Sequence, residues 1–386
     1  MMAGVYLLTP ALQRYQWGTT DVIAALLGIE ATDQPLAEAW WGAHPDAPAL
    51  AAAPSGDVPL TDLLAADAVG ILGDDVAKTW GNALPYLLKV LSVSKPLSIQ
   101  VHPSAEQARA GYDRERTGGA HAAGSRYAFA DRLAKPEMVV ALTPMVVLAG
   151  FRPVDDLARD LALIGGDAPA DLDASSVGRY LRDVLALPRH APVLTAMVAA
   201  AERPGASREL TAAAAAAVHH PGDQGALIAL ALRCIDLSPG EALFIDAGVV
   251  HSYQTGTGLE VMANSDNVVR AGLTPKPVNA ELFLELADTS ARMPQVIQPV
   301  ERGGARVFTT PAPDYELTLV DTGPWSAGSG PRIVLAVDGS AQVRTDQYEK
   351  ALHAGQAVLV ADRDGPVDVT STGLAAVVSV PQAGRL

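Results

Sequence analysis

The chain has a single cysteine, Cys234, in 386 residues. That excludes an internal disulfide framework and points to a reducing compartment. Positive charge is scarce as well, with 28 lysines and arginines against 43 acidic residues and a net charge of −15. A surface so acidic repels nucleic acid and anionic membranes, and neither is expected as a partner. Any anionic substrate must then be drawn in by a local basic cluster. No apolar run approaches the roughly 20 residues that a membrane span requires. The first residues lack the basic start and long apolar core of a signal peptide. There is no Gly-x-x-x-x-Gly-Lys-[Ser/Thr] loop, which argues against nucleotide phosphate transfer. The expectation is a soluble, cytoplasmic protein.

What is present is a folding chain. Hydrophobic residues make up 49%, and the length suits two or three domains. Residues 5–8 read as a strand, and Asp21 as the cap of a short helix ending at Leu27. The pair Trp40-Trp41 reads as core packing and residues 61–72 as helix. Residues 84–93 form a strongly apolar strand. Ser104, with Gln107 three residues on, has the spacing of a capping box at a helix start. Residues 118–124 read as a loop, and Lys135 begins another strand running to Leu142. From 152 to 222 the chain is rich in Ala and Leu at helical spacing, and the block 212–217 is all alanine. Strand character returns at Cys234 and is expected to last to the C-terminus, with short glycine turns as in a sandwich or barrel.

The stretch Leu97-Ser98-Ile99-Gln100-Val101-His102-Pro103 organises the rest. As a strand it places Ser98, Gln100 and His102 on one face, about 7 Å apart, and apolar residues on the other. Polar groups facing a core need partners, and a metal ion would satisfy Gln100 and His102 together. Further on, Ser238-Pro239-Gly240-Glu241 leads through a short apolar strand to Asp246-Ala247-Gly248-Val249-Val250-His251. This resembles the second cupin motif, whose histidine binds a metal inside a small double-sheet barrel. Asp246 departs from the proline usual there. Thr255-Gly256-Thr257-Gly258 is read as a hairpin turn after His251 rather than a phosphate loop. His44, His121, His219 and His220 lack ligand spacing and read as surface or loop residues. Lys135 and Glu137 have a plain alternative as a salt-bridged strand edge.

Longer strings carry a more specific likeness. Leu87-Leu88-Lys89-Val90-Leu91-Ser92-Val93-Ser94-Lys95-Pro96, running on into Leu97–Pro103, resembles the type I mannose-6-phosphate isomerase family. So do Trp41-Gly42-Ala43-His44-Pro45, Lys135-Pro136-Glu137-Met138, Gly150-Phe151-Arg152-Pro153 and Asn264-Ser265-Asp266-Asn267-Val268-Val269-Arg270-Ala271-Gly272. The resemblance covers residues 6–280 in order. It implies a mainly β protein with an α-helical insertion, organised as a cupin (jelly-roll) catalytic domain, a helical domain and a second, C-terminal cupin-like β domain. The corresponding boundaries are 1–151 with 223–295, 152–222, and 296–386. It implies one Zn²⁺ per chain held by Gln100, His102, Glu137 and His251, and interconversion of D-mannose 6-phosphate and D-fructose 6-phosphate. Arg270, Lys135 and Glu260 fall on catalytic positions. Ser98, Lys89, Tyr253, Asp266, Lys276 and Trp17 fall on substrate-binding positions. Asn279 stands where the family usually has aspartate. The partner is a phosphorylated hexose and the chain is expected to be a monomer. The chemistry agrees: moving a proton between C1 and C2 through an enediolate needs a base, a polarising group and an oxyanion stabiliser. The competing readings are a non-catalytic phosphosugar-binding cupin and a different metal-dependent cupin enzyme.

Overall fold

A computed structural model describes residues 4–117, 127–165, 177–291 and 293–381. The loop expected at 118–124, with His121, lies outside these residues. The fold is mainly β, with two sandwiches and a helical block, in the cupin manner.

The strands Gln295–Ile297, Ala242–Ile245, Glu137–Ala141, His251–Ala263, Tyr86–Val93, Glu38–Gly42 and Ala11–Gln13 follow one another across the first sheet. Ile99–Val101, Val269–Gly272, Met145–Phe151 and Leu232–Leu237 form a second branch. The strand His251–Ala263 joins the two. Its first residues pair with Met145–Phe151 and, at His251, with Gln100. From Gly256 onward it pairs with Tyr86–Val93.

This overturns the hairpin turn expected at 255–258, because the strand runs straight through those residues. The register shifts between Tyr253 and Thr255. Gly256 adopts φ +107°, and a Cβ there would lie 2.6 Å from the Pro144 carbonyl oxygen. The glycines serve a bulge that turns one long strand from one branch to the other.

Register sets the site. Gln100 lies beside His251 on one neighbouring strand and Arg270 on the other. Trp40, Lys89 and Glu260 are side by side on three adjacent strands. Residues paired across a sheet point to the same face, so each row presents its side chains together.

The C-terminal strands pack a core of valine and alanine, including Val334, Val343, Val358, Val369 and Val377. The strand Val5–Thr9 pairs with Ala357–Val360 in this second sandwich. Strand character does not persist to the end, since Ala280–Leu286 is a helix. Asn279 caps it, its Oδ1 accepting the Leu282 N–H at 3.1 Å. Asn and Asp cap equally well, so the departure noted at 279 is structurally neutral.

Helices span Val154–Ile164, Val177–Ala186, Pro192–Ala201, Arg208–His219 and Gly225–Leu230. In Pro192–Ala201 the buried residues are Val193, Leu194, Met197 and Ala200, one stripe at helical spacing. They share a core with Ile99, Val101 and Leu148 of the sheet. The expected helix at 61–72 is two, Leu60–Ala66 and Ala68–Leu72, broken at Asp67, whose carboxylate caps Gly70 N–H. At Ala105–Thr117 the capping box forms. Ser104 Oγ accepts from Gln107 N–H and Gln107 Oε1 accepts from Ser104 N–H.

Candidate active site

The polar row of the Ile99–Val101 strand opens into a cavity of about 550 Å³. Ser98 and Gln100 line it, together with Glu137, Lys135, Lys89, Glu260, Tyr253, Trp17, Asp266, Arg270 and Lys276. Thus every sequence-predicted site residue faces one cavity except His102 and His251, which are fully buried against Glu137.

Their arrangement is that of a metal centre. Nε2 of His102 and Nε2 of His251 each lie 3.4 Å from Glu137 Oε2. The ligand atoms of the three residues all fall within 4.8 Å of one another. None of the three meets a hydrogen-bond partner in acceptable geometry among the described residues, although all are buried. Orphaned buried polar atoms cost free energy, and a cation between these three resolves all of them at once.

The outer contacts prepare the ligands. His102 Nδ1 donates to the Asn267 carbonyl at 2.7 Å and His251 Nδ1 to the Val249 carbonyl at 3.0 Å. A carbonyl only accepts, so each Nδ1 carries the hydrogen and each Nε2 presents its lone pair. Lys135 Nζ donates to Glu137 Oε1 at 2.5 Å, which occupies one carboxylate oxygen and leaves Oε2 to the centre. Asp246, the departure from the cupin pattern, closes the turn before His251, its carbonyl accepting Val249 N–H. Two imidazole nitrogens and a carboxylate oxygen, with Gln100 alongside, are a donor set that suits zinc.

Protonation agrees. Burial pushes the His102 imidazole below its ordinary value, against the pull of Glu137. Burial would raise the Glu137 carboxyl, but Lys135 and His102 outweigh it and hold it well below the carboxylate range. Both are therefore in the ligating form at neutral pH. The unfolded chain protonates this histidine near pH 6.5, whereas the folded one resists. By linkage, the metal-free protein should lose stability as pH falls below about 6.5. The contribution of Glu137, present above about pH 4.5, is lost further down as pH falls through its lowered folded value. Urea midpoints of metal-free protein between pH 8 and 5 check this, and a midpoint that stays level or rises toward acid would contradict it.

A second charged row flanks the centre. Lys89 Nζ lies 3.0 Å from Glu260 Oε2 and 4.9 Å from the Trp40 ring centroid. Glu38 accepts from Trp40 Nε1 at 2.6 Å, and burial raises its carboxyl above the usual range. The tryptophan pair therefore divides: Trp41 is wholly buried in the core, while Trp40 faces the cavity. Period two along Glu38-Ala39-Trp40-Trp41 carried that signal, with Glu38 and Trp40 on one face.

His44 is not a surface residue. It is 3% exposed, and Asp46 N–H donates to its Nδ1. Its Nε2 must then carry the hydrogen, which it donates to Asp266 Oδ1 at 3.1 Å. His219 and His220 also line the cavity, brought there by the end of the Arg208–His219 helix.

Residues 5–154 match the family model described as the catalytic domain of type I phosphomannose isomerase. The chain is 32% identical over 382 residues to mannose-6-phosphate isomerase of Escherichia coli (strain K12), covering 94% of this chain and 96% of that protein. It is 31% identical over 364 residues to mannose-6-phosphate isomerase of Homo sapiens, covering 81% of each. A crystal structure of zinc-bound mannose 6-phosphate isomerase superposes with a TM-score of 0.87 at 30% identity, over 98% of this chain and all of that one. A crystal structure of a mutant phosphomannose isomerase from Salmonella typhimurium gives 0.90 at the same identity and coverage.

Proposed function

The chain belongs to the type I phosphomannose isomerases, and from that premise we propose that it is a zinc-dependent enzyme interconverting D-mannose 6-phosphate and D-fructose 6-phosphate, with Gln100, His102, Glu137 and His251 as the zinc ligands. The observation that carries this is the convergence of three orphaned ligand atoms beneath a cavity lined by Arg270 and the Lys89–Glu260 pair.

When bound, Zn²⁺ supplies polarisation of the sugar oxygens at C1 and C2 and favours the negative charge that develops there. The protein side chains supply the rest. Glu260, buried beside Lys89, is assigned as the base that carries the proton between C1 and C2 through the enediolate. Lys135 anchors Glu137 and is assigned the proton donation of ring opening. Arg270 is a fixed cation for the developing charge or the phosphate. Ser98, Tyr253, Trp17, Asp266, Lys89 and Lys276 surround the sugar. We divide the chain into 1–151 with 223–295, 152–222, and 296–386, with the Val5–Thr9 strand lent to the C-terminal sheet. No helix among the described residues is long and apolar enough to cross a membrane. The scarcity of cysteine supports a cytoplasmic setting. The site residues assigned here all come from one chain, and the reading takes the chain as a monomer.

Running the reaction on mannose 6-phosphate in heavy water tests the assignment. Fructose 6-phosphate should form, part of it carrying deuterium on carbon from exchange at the base. A zinc-loaded protein that forms no fructose 6-phosphate would overturn the reading.

A further inference from the structure

The mouth of the cavity is a closed ring of tied segments. Ser94 N–H donates to the Trp17 carbonyl at 2.8 Å, and Ser94 Oγ to the Gly18 carbonyl at 2.8 Å. Lys95 N–H also reaches the Trp17 carbonyl, at 3.3 Å. Next to Lys95, the Pro96 carbonyl accepts from His220 Nε2 at 2.9 Å, which pins the end of a helix to the loop. Three residues on, buried Asp223 accepts Thr274 N–H at 3.4 Å. Gly225 and Gly272 meet so closely there that a Cβ on Gly272 would lie 2.5 Å from the Gly225 Cα. Lys276 Nζ then stands 5.2 Å from the Tyr15 ring centroid, closing the circuit beside Arg14.

Charge is sorted across this ring. The carboxylates lining the cavity are Glu38, Glu137, Glu260 and Asp266. Each is engaged from within, by Trp40, Lys135, Lys89 and His44 respectively. Six lysines and arginines line the same cavity, so it has a positive surplus in a chain of net charge −15. Arg14, Lys95 and His219 are exposed at its outer edge, on three segments that the ring holds in place.

We propose that Arg14, Lys95 and His219 form an anion-capture site at the cavity mouth that draws in the phosphate of the substrate before the sugar reaches the metal centre. The inference rests on the hexose-phosphate reading of the cavity. A positively charged cleft raises the local concentration of an anion and its rate of entry, and salt weakens the effect. The general field of this protein repels a phosphate dianion, so a cationic mouth decides whether substrate arrives. The capture residues are not among the groups assigned above to the metal or to the proton transfer, and they act on entry rather than on chemistry.

The test is the salt dependence of steady-state kinetics in the zinc-loaded enzyme and in its Arg14→Gln/Lys95→Gln variant. At about 20 mM salt the variant should lose about fivefold in kcat/KM, with kcat changed by less than about twofold. Near 500 mM salt, where the screening length falls to a few ångströms, the two proteins should converge to within about twofold. The charge-conserving Arg14→Lys/Lys95→Arg variant should keep the wild-type salt profile. Calorimetric titration with inorganic phosphate gives a reading independent of turnover, and the Gln variant should bind it several-fold more weakly than wild type. If the protein does not isomerise but phosphate binding falls in this way, the capture site stands and the isomerase reading fails. Unchanged kcat/KM, salt profile and phosphate affinity in the Gln variant would overturn the capture site.

Discussion

Glu137→Gln should give a folded protein that retains less than about one-tenth of its zinc after dialysis and loses about 1000-fold in kcat/KM. The carboxylate is the one anionic member of the centre, and its Oε2 stands 3.4 Å from both histidine nitrogens. An amide oxygen keeps the shape and loses the charge. Lys135, which now neutralises the other oxygen of Glu137, would be left with its ammonium turned toward a divalent cation and no carboxylate between them. Changes to groups one step behind a ligand already cost about 10–100-fold in metal affinity, and this substitution removes a ligand and unmasks a repulsion. Without the cation the charge at the sugar oxygens goes unmet, and electrostatic groups of that kind are worth about 100–1000-fold each. Elemental analysis of dialysed protein beside a kinetic assay checks both halves. Stoichiometric zinc in the variant would show that the metal is held elsewhere.

Lys89→Met should destabilise the protein by about 3–5 kcal/mol, as expected for stripping one partner from a buried ion pair. Burial by itself would drive the Lys89 ammonium toward its neutral form, but Glu260, Glu38 and Glu137 outweigh it and hold its pKa above the ordinary lysine value. A lysine raised in this way stabilises the fold at every pH below its unfolded value, which includes the whole working range. Replacing it with an uncharged thioether chain of similar shape leaves buried Glu260 without its counter-charge. The double variant Lys89→Met/Glu260→Gln removes both charges and should recover most of the loss. Urea denaturation of the wild type, the two single variants and the double variant gives the coupling energy directly. Effects that add to within about 0.5 kcal/mol would mean that the two residues are independent.

Parts of the proposed metal centre have local signals in the sequence, whereas Glu137 enters as a ligand only through the family resemblance. Period two in 98–102 assigns Ser98, Gln100 and His102 to one face, and the turn before His251 is a continuous motif. The same holds for Ser104, whose capping box is decided within three residues. What escaped depends on segments far apart in the chain. His44 shows no purpose until Asp266 is placed beside it, and His220 none until the loop at Pro96 meets it. Trp40 and Trp41 have the same side chain and opposite environments, which only the flanking sheet assigns. Residues 255–258 have turn-forming glycines, yet Gly256 serves a bulge in a strand shared by two sheet branches. Local preference gave way there to pairing partners on both sides.

The central claim is that the His102–Glu137–His251 centre and the cavity above it form one zinc-dependent isomerase site. It is tested most directly by stripping the metal with a chelator, returning zinc in known increments, and following conversion of mannose 6-phosphate to fructose 6-phosphate on the same samples. Activity should rise in proportion to bound zinc and stop rising at one ion per chain. Full conversion by protein holding less than about one-tenth of an equivalent of zinc would contradict the account, given that a catalytic metal is required to stabilise the developing charge.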